Sequence, residues 1–127
     1  MKTAALNRLI MMRMNDMVFA SLEEFYEKAA ACRVLTRTEE KECARRMKDG
    51  DLLAQEKLVQ SYLPSVAGYI RRIPPHQRTW GLAVYCTQAL EKAVVSFDFL
   101  QGSETFSHRL NWCLRQATVR YAARQRD

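Results

Sequence analysis

Glycine and proline, the residues that most often interrupt regular backbone, number only four and three in this chain of 127. That scarcity narrows the fold more than any motif does. Ala (15) and Leu (13) are plentiful instead. A sheet protein needs turn residues at short intervals, and a chain poor in them but rich in strong helix formers is expected to be all-α. The length suits a single domain spanning 1–127, with 1–34 as an N-terminal helical segment and 35–127 as the core. At 48% hydrophobic and 27% charged residues, the composition is globular, not disordered. No apolar run reaches the ~20 residues of a membrane span. Arg8 and Arg13 interrupt the N-terminal apolar stretch, so no signal-peptide core is expected. Cys32, Cys43, Cys86 and Cys113 are dispersed, without a C-x-x-C pair. Neither a disulfide framework nor a zinc site is expected, and the expected setting is a reducing cytoplasm.

Apolar spacing divides the chain into helical segments. Leu6, Leu9, Ile10, Met14 and Met17 share a stripe over Leu6–Met17. Ser21-Leu22-Glu23-Glu24 reads as a capping box opening a helix over Leu22–Cys32. Thr36-Arg37-Thr38-Glu39 opens a second, over Arg37–Lys48, which Asp49-Gly50 closes. A longer segment runs from Asp51 to Arg72, with a kink or restart expected at Pro64. Ile73-Pro74-Pro75-His76 breaks the pattern. A further helix is expected over Leu82–Ser96, and a last one from about Ser107.

Charge is unevenly distributed. Residues 1–63 carry 11 basic and 10 acidic side chains, whereas 64–127 carry 9 basic, eight of them Arg, and 4 acidic. An excess confined to one half points to an anionic partner there; the alternative is a solvated basic face. The last helix sharpens the choice. At 100° per residue, Arg109, Trp112, Cys113, Gln116, Arg120 and Arg124 fall within a sector about 120° wide, with Arg115 at its edge. Leu110, Leu114, Ala117, Thr118 and Tyr121 occupy the adjoining face, suited to packing on the domain. Arg neutralises phosphate, Gln can bond base edges, and Trp can stack an unpaired base. The alternative is an amphipathic helix whose Trp is partly buried against a neighbour.

Signals for catalysis are weak. His76 and His108 have no companion at metal-ligand spacing, and no nucleophile elbow, Walker loop or dinucleotide fingerprint occurs. No enzyme activity, metal or cofactor is expected.

Leu35-Thr36-Arg37-Thr38-Glu39-Glu40-Lys41-Glu42, followed by Ala44 to Asp51, resembles the stretch before the second conserved region of bacterial RNA polymerase sigma factors. Ala54, Leu58, Val59, Ser61, Leu63 and Val66 continue the pattern. Ala93-Val94 with Phe97-Asp98 is similar to the family's A-V-x-x-F-D. Phe106-Ser107, Trp112, Leu114-Arg115-Gln116-Ala117 and Arg120 are similar to its F-S-T-Y-A-x-W-W-I-R-Q-A-x-x-R promoter-melting helix. The resemblance covers roughly 35–121. It implies a compact multi-helix domain with a helical-hairpin core and a basic C-terminal helix. It also implies a sigma-like transcription initiation protein that binds RNA polymerase core, through a coiled coil of the largest catalytic subunit, and promoter DNA at a minus-ten type element.

Position by position, the resemblance assigns DNA contacts to Phe106, Ser107, Arg109, Trp112, Arg115, Gln116 and Arg120, with Arg124 added by the helical wheel. It assigns polymerase contacts to Leu82, Tyr85, Cys86 and Ala89, so a charge at Leu82 is expected to abolish polymerase capture without changing helicity. The chain departs from the family at Arg109, where the family has the Tyr that stacks a flipped adenine, at His108 for Thr, and at Cys113 for the second Trp. Gly81 to Cys86 stand where the family reads D-L-I-Q-E-G. The family's later regions, with the helix-turn-helix for the upstream element, have no counterpart before Asp127, so a second polypeptide supplying that recognition is a further expected partner. The alternative function is a sigma-like interaction module that modulates polymerase or another sigma factor without reading promoters.

Overall fold

The computed structural model describes residues 19–101 and 104–126. The described residues form six α-helices and one short 3-10 turn, with no strand among them: α1 (Leu22–Ala31), α2 (Arg37–Lys48), α3 (Leu52–Ser61), α4 (Leu63–Arg71), the turn Pro75–Gln77, α5 (Trp80–Ser96) and α6 (Phe106–Arg126). The stripe expected over Leu6–Met17 lies outside the described residues.

Local chemistry explains the boundaries. The Ser21 hydroxyl accepts from Glu24 N–H at 3.2 Å, and Glu24 reaches back to accept from Ala20 N–H at 2.9 Å. At α2 the box is complete: Glu39 N–H donates to Thr36 Oγ1 at 3.2 Å and Thr36 N–H donates to the Glu39 carboxylate at 3.1 Å. The other end of α2 is a Schellman closure. Gly50 N–H donates to Met47 and Asp51 N–H to Arg46, both at 3.0 Å. Gly50 sits at φ +91°, where a side chain would be strained. Asp51 then caps α3 by accepting from Leu53 and Ala54 N–H. The expected restart at Pro64 is a division into two helices. Tyr62 separates α3 from α4, and Pro64 occupies the first turn of α4, where its missing N–H costs nothing. The Thr79 hydroxyl accepts from Leu82 N–H at 3.1 Å, which starts α5 at Trp80, two residues before the sequence pattern suggests.

α5 lies at the centre. It packs against α1, α3, α4 and α6, while α2 packs on α3 and α1 on α4. Residues 19–31 therefore belong to the same core as the rest, through buried Phe19, Phe25 and Ala29. The core runs through Leu58, Val66, Ile70, Leu90, Val94, Leu110 and Leu114. α5 and α6 form an antiparallel hairpin, with Tyr85 near Tyr121 at one end and Ser96 near Trp112 at the other.

The two capping carboxylates titrate usefully. The backbone hydrogen bond from Ala20, then Lys28, holds Glu24 below its ordinary value of 4.5. The bond from Thr36, then Arg33, does the same for Glu39. A carboxylate whose folded pKa is depressed stabilises the fold above its unfolded pKa, and that contribution fades as pH falls through the folded value. Thermal stability should thus be level through neutral pH and decline below about 4.5. Replacing Glu24 and Glu39 together by Gln should make the acid decline shallower, as thermal melts across pH would show. An unchanged decline would mean other carboxylates govern it.

Candidate nucleic-acid interface

The loop before α6 is pinned by aromatic side chains. Phe106 packs with Tyr62 at 4.6 Å between ring centroids, Phe97 at 5.2 Å and Phe99 at 4.9 Å. Tyr62 in turn donates its phenolic hydrogen to Glu40 of α2. Burial, followed by that hydrogen bond, raises the Tyr62 phenol above its ordinary pKa and keeps it a donor. Phe106 is only 3% exposed, which corrects its assignment as a DNA contact: it is a core anchor that sets where α6 begins. Ser107 beside it is exposed. Thr105 Oγ1 accepts from His108 N–H at 3.3 Å, which caps the first turn.

From that anchor α6 projects two faces. Leu110, Leu114 and Ala117 are buried, and Thr118 and Tyr121 half-buried. Thr118 Oγ1 bonds Leu114 O at 2.8 Å and Tyr69 Oη at 3.2 Å, locking the inner face onto α4. On the outer side Arg109, Trp112, Arg115, Arg120 and Arg124 are exposed, and Gln116 and Cys113 half-buried. Trp112 is 52% exposed, so its ring is available to a partner. The Arg109 guanidinium lies 6.0 Å from the centre of that ring and pairs with Glu104 at 3.1 Å. That surface pair is worth at most about 1 kcal/mol and yields readily to phosphate. Arg115 stands on the flank, away from the line of Gln116 and Arg120.

α5 supplies a second wall. Between the helices runs a groove of about 330 Å³, whose lining includes Tyr85, Gln88, Ala89 and Lys92 from α5 and Trp112, Gln116, Arg120 and Arg124 from α6. No Asp or Glu lines it. Arg124 lies 5.8 Å from the centre of the Tyr85 ring, which meets Tyr121 edge-on at 5.8 Å. At Gly81 the Tyr121 side chain of α6 lies against the backbone of α5. A Cβ there would stand 2.5 Å from Tyr121 Oη, which also bonds Thr79 Oγ1 at 3.1 Å. A side chain at Gly81 would have to displace the Tyr121 hydroxyl.

The four residues expected to meet polymerase are divided. Tyr85 and Ala89 reach the groove, whereas Leu82 is 3% and Cys86 0% exposed. Desolvation pushes the Cys86 thiol up to about 11, against a lesser opposing hydrogen bond involving Thr118. Leu82 and Cys86 therefore face the core and present nothing to a partner. Gln88 and Lys92 were missed by sequence reasoning, although they follow Tyr85 at helical spacing along one acid-free stripe. Among the described residues no group of His, Cys, Asp and Glu is placed to hold a metal ion. No helix of the described residues is long and apolar enough to cross a membrane. No family model matches the chain.

A charge at Leu82 is consequently a core lesion. Leu82→Glu should cost several kcal/mol, on the order of 3 or more, by burying an unpaired carboxylate. Urea denaturation followed by circular dichroism should show helicity and stability falling together. Gln88→Glu, on the exposed side of α5, should leave both nearly unchanged. Equal behaviour of the two variants would contradict the inward placement of Leu82.

Proposed function

We propose that this protein is a sigma-factor-like transcription initiation protein that binds RNA polymerase core and promoter DNA of the minus-ten type. The observation that carries the reading is the outer side of α6, where exposed Arg109, Trp112, Arg120 and Arg124 share one sector with half-buried Gln116. Phosphate neutralisation, base-edge bonding and stacking are available there within a single helix. What supports it further is that buried Phe106 anchors the start of α6 and leaves the exposed residues after it free to meet DNA.

A second reading, an interaction module that modulates polymerase or another sigma factor without reading promoters, is favoured by one specific feature. Leu82 and Cys86 are buried, so two of the four positions that the resemblance gives to polymerase are closed to a partner. Capture of purified polymerase core, with and without a promoter fragment, separates the two readings. Retention of both polymerase and DNA supports initiation; retention of polymerase alone supports modulation.

DNA binding itself is tested by salt. Segment 106–126 holds five Arg and no acidic residue. If about three to five phosphates are neutralised, log affinity should fall against log salt with a slope of roughly −2 to −4.5. Arg120→Glu should weaken binding and flatten that slope. A flat dependence in the native protein, or no binding at low salt, would refute the DNA reading.

Arg109 sets the selectivity. A guanidinium plane beside Trp112 can stack a base and contact phosphate, but it offers no rigid slot for one base. Binding to pre-opened DNA should therefore show little preference for adenine at the melted position. The protein alone should bind duplex without opening it. Oligonucleotides carrying each base in turn, with a fluorescent-base opening assay in the presence of polymerase, measure this directly. An adenine preference of ~2 kcal/mol or more, or efficient opening, would show selective capture without the ring. Arg109→Tyr should raise adenine preference where the surrounding pocket is intact.

A further inference from the structure

We infer that the α5–α6 groove is a single-stranded nucleic-acid site in which Tyr85, Gln88 and Lys92 of α5 hold the strand alongside α6. The inference rests on the DNA-binding reading above and extends it to a wall that the family resemblance gives to polymerase. Two observations identify the occupant.

The first is charge. The chain has 14 Asp and Glu, yet none lines the groove, where Lys92, Arg120 and Arg124 converge from two helices. An anionic polymer complements that lining. The second is the distribution of rings. Trp112 stands towards one end and Tyr85 towards the other, with Arg124 over the Tyr85 ring. Trp112 and Arg124 are twelve residues apart on α6, or ~18 Å along its axis. That length accommodates roughly five nucleotides at stacked spacing, and fewer when they are splayed. Aromatic platforms separated by cations are the arrangement that single-stranded sites use, because every base has a face to stack.

The test uses the whole chain and a fluorescein-labelled twelve-residue oligothymidylate, with a duplex of the same length for comparison, read by anisotropy across salt. The native protein should prefer the single strand. Lys92→Glu should weaken single-strand binding about tenfold and reduce the salt slope by up to one contact. Tyr85→Leu should weaken it to a similar extent and Tyr85→Phe should restore it, since the ring face and not the hydroxyl does the stacking. Tyr85 also packs on Tyr121, so thermal melts accompany each variant; Lys92 is exposed, and its substitution decides the matter if Tyr85→Leu unfolds. If Arg120→Glu loses binding while Lys92→Glu and Tyr85→Leu bind as the native protein does, the α5 wall is not used. The inference then falls and the α6 reading stands. If Arg120→Glu has no effect, the DNA reading fails and the inference with it. If Lys92→Glu abolishes capture of purified polymerase core and spares the oligonucleotide, the groove is a protein-docking face, which also overturns the inference.

Discussion

α5 reaches four neighbours because the side it turns inward is built largely from small residues. Ala83, Cys86, Thr87 and Ala93 let other helices approach, and Leu82, Leu90 and Val94 fill the space between. Thr87 is tolerated in this dry setting because its hydroxyl donates to Ala83 O at 2.8 Å within the same helix. Helix propensity differs by tenths of a kcal/mol between ordinary residues, whereas burying one Leu is worth about 1.5–3 kcal/mol. Packing, not propensity, therefore holds α5 in place. The near-contact between Gly81 and Tyr121 then fixes how closely α6 lies at one end of the hairpin.

The other end is fixed by aromatic rings. Phe97, Phe99 and Phe106 close the connection between α5 and α6, and Tyr62 ties that cluster through Glu40 to α2. With both ends held, α6 can carry several like charges on one side. Repulsion among exposed guanidinium groups is screened within about 10 Å at ordinary salt, and the core beneath contributes far more. Arg120 and Arg124 also lie towards the C-terminal end of α6, where the helix dipole favours cations. Arg109 lies near the opposite end, where the dipole does not favour it, and it is matched with a carboxylate, Glu104.

Features encoded within one turn of helix were legible in the sequence. Ser21 with Glu24 and Thr36 with Glu39 marked the starts of α1 and α2, Gly50 marked the end of α2, and Pro64 marked the restart at α4. The two faces of α6 could be separated because polar and apolar residues alternate there at helical spacing. The inward turn of Leu82 and Cys86 was not legible. Leu82-Ala83-Val84-Tyr85-Cys86 is apolar on every side, so a wheel gives no direction and the surrounding helices decide it. Phe106 was misread because a motif records which residue stands at a helix start, not whether three distant rings enclose it. The groove joins residues from two helices, and nothing local to either predicts the separation set by Tyr121 against Gly81.

Two surfaces that the sequence kept apart, an Arg-bearing side of α6 and a partner side of α5, share one concavity. Tyr85 and Ala89 stand on one wall, and Trp112, Gln116 and Arg120 on the other. A strand lying in the groove would cover Tyr85, and a protein helix seated on the rim would cover the strand's path. The two occupants are therefore mutually exclusive over Tyr85 and Ala89, unless the protein partner approaches from the outer side of α5. Gln88, Lys92 and Ser96 are exposed but line the groove, so the outer side free of it is the one marked by exposed Val95. Simultaneous binding of polymerase and an open strand would thus require the polymerase contact to shift around α5, away from the four positions that motif alignment assigns.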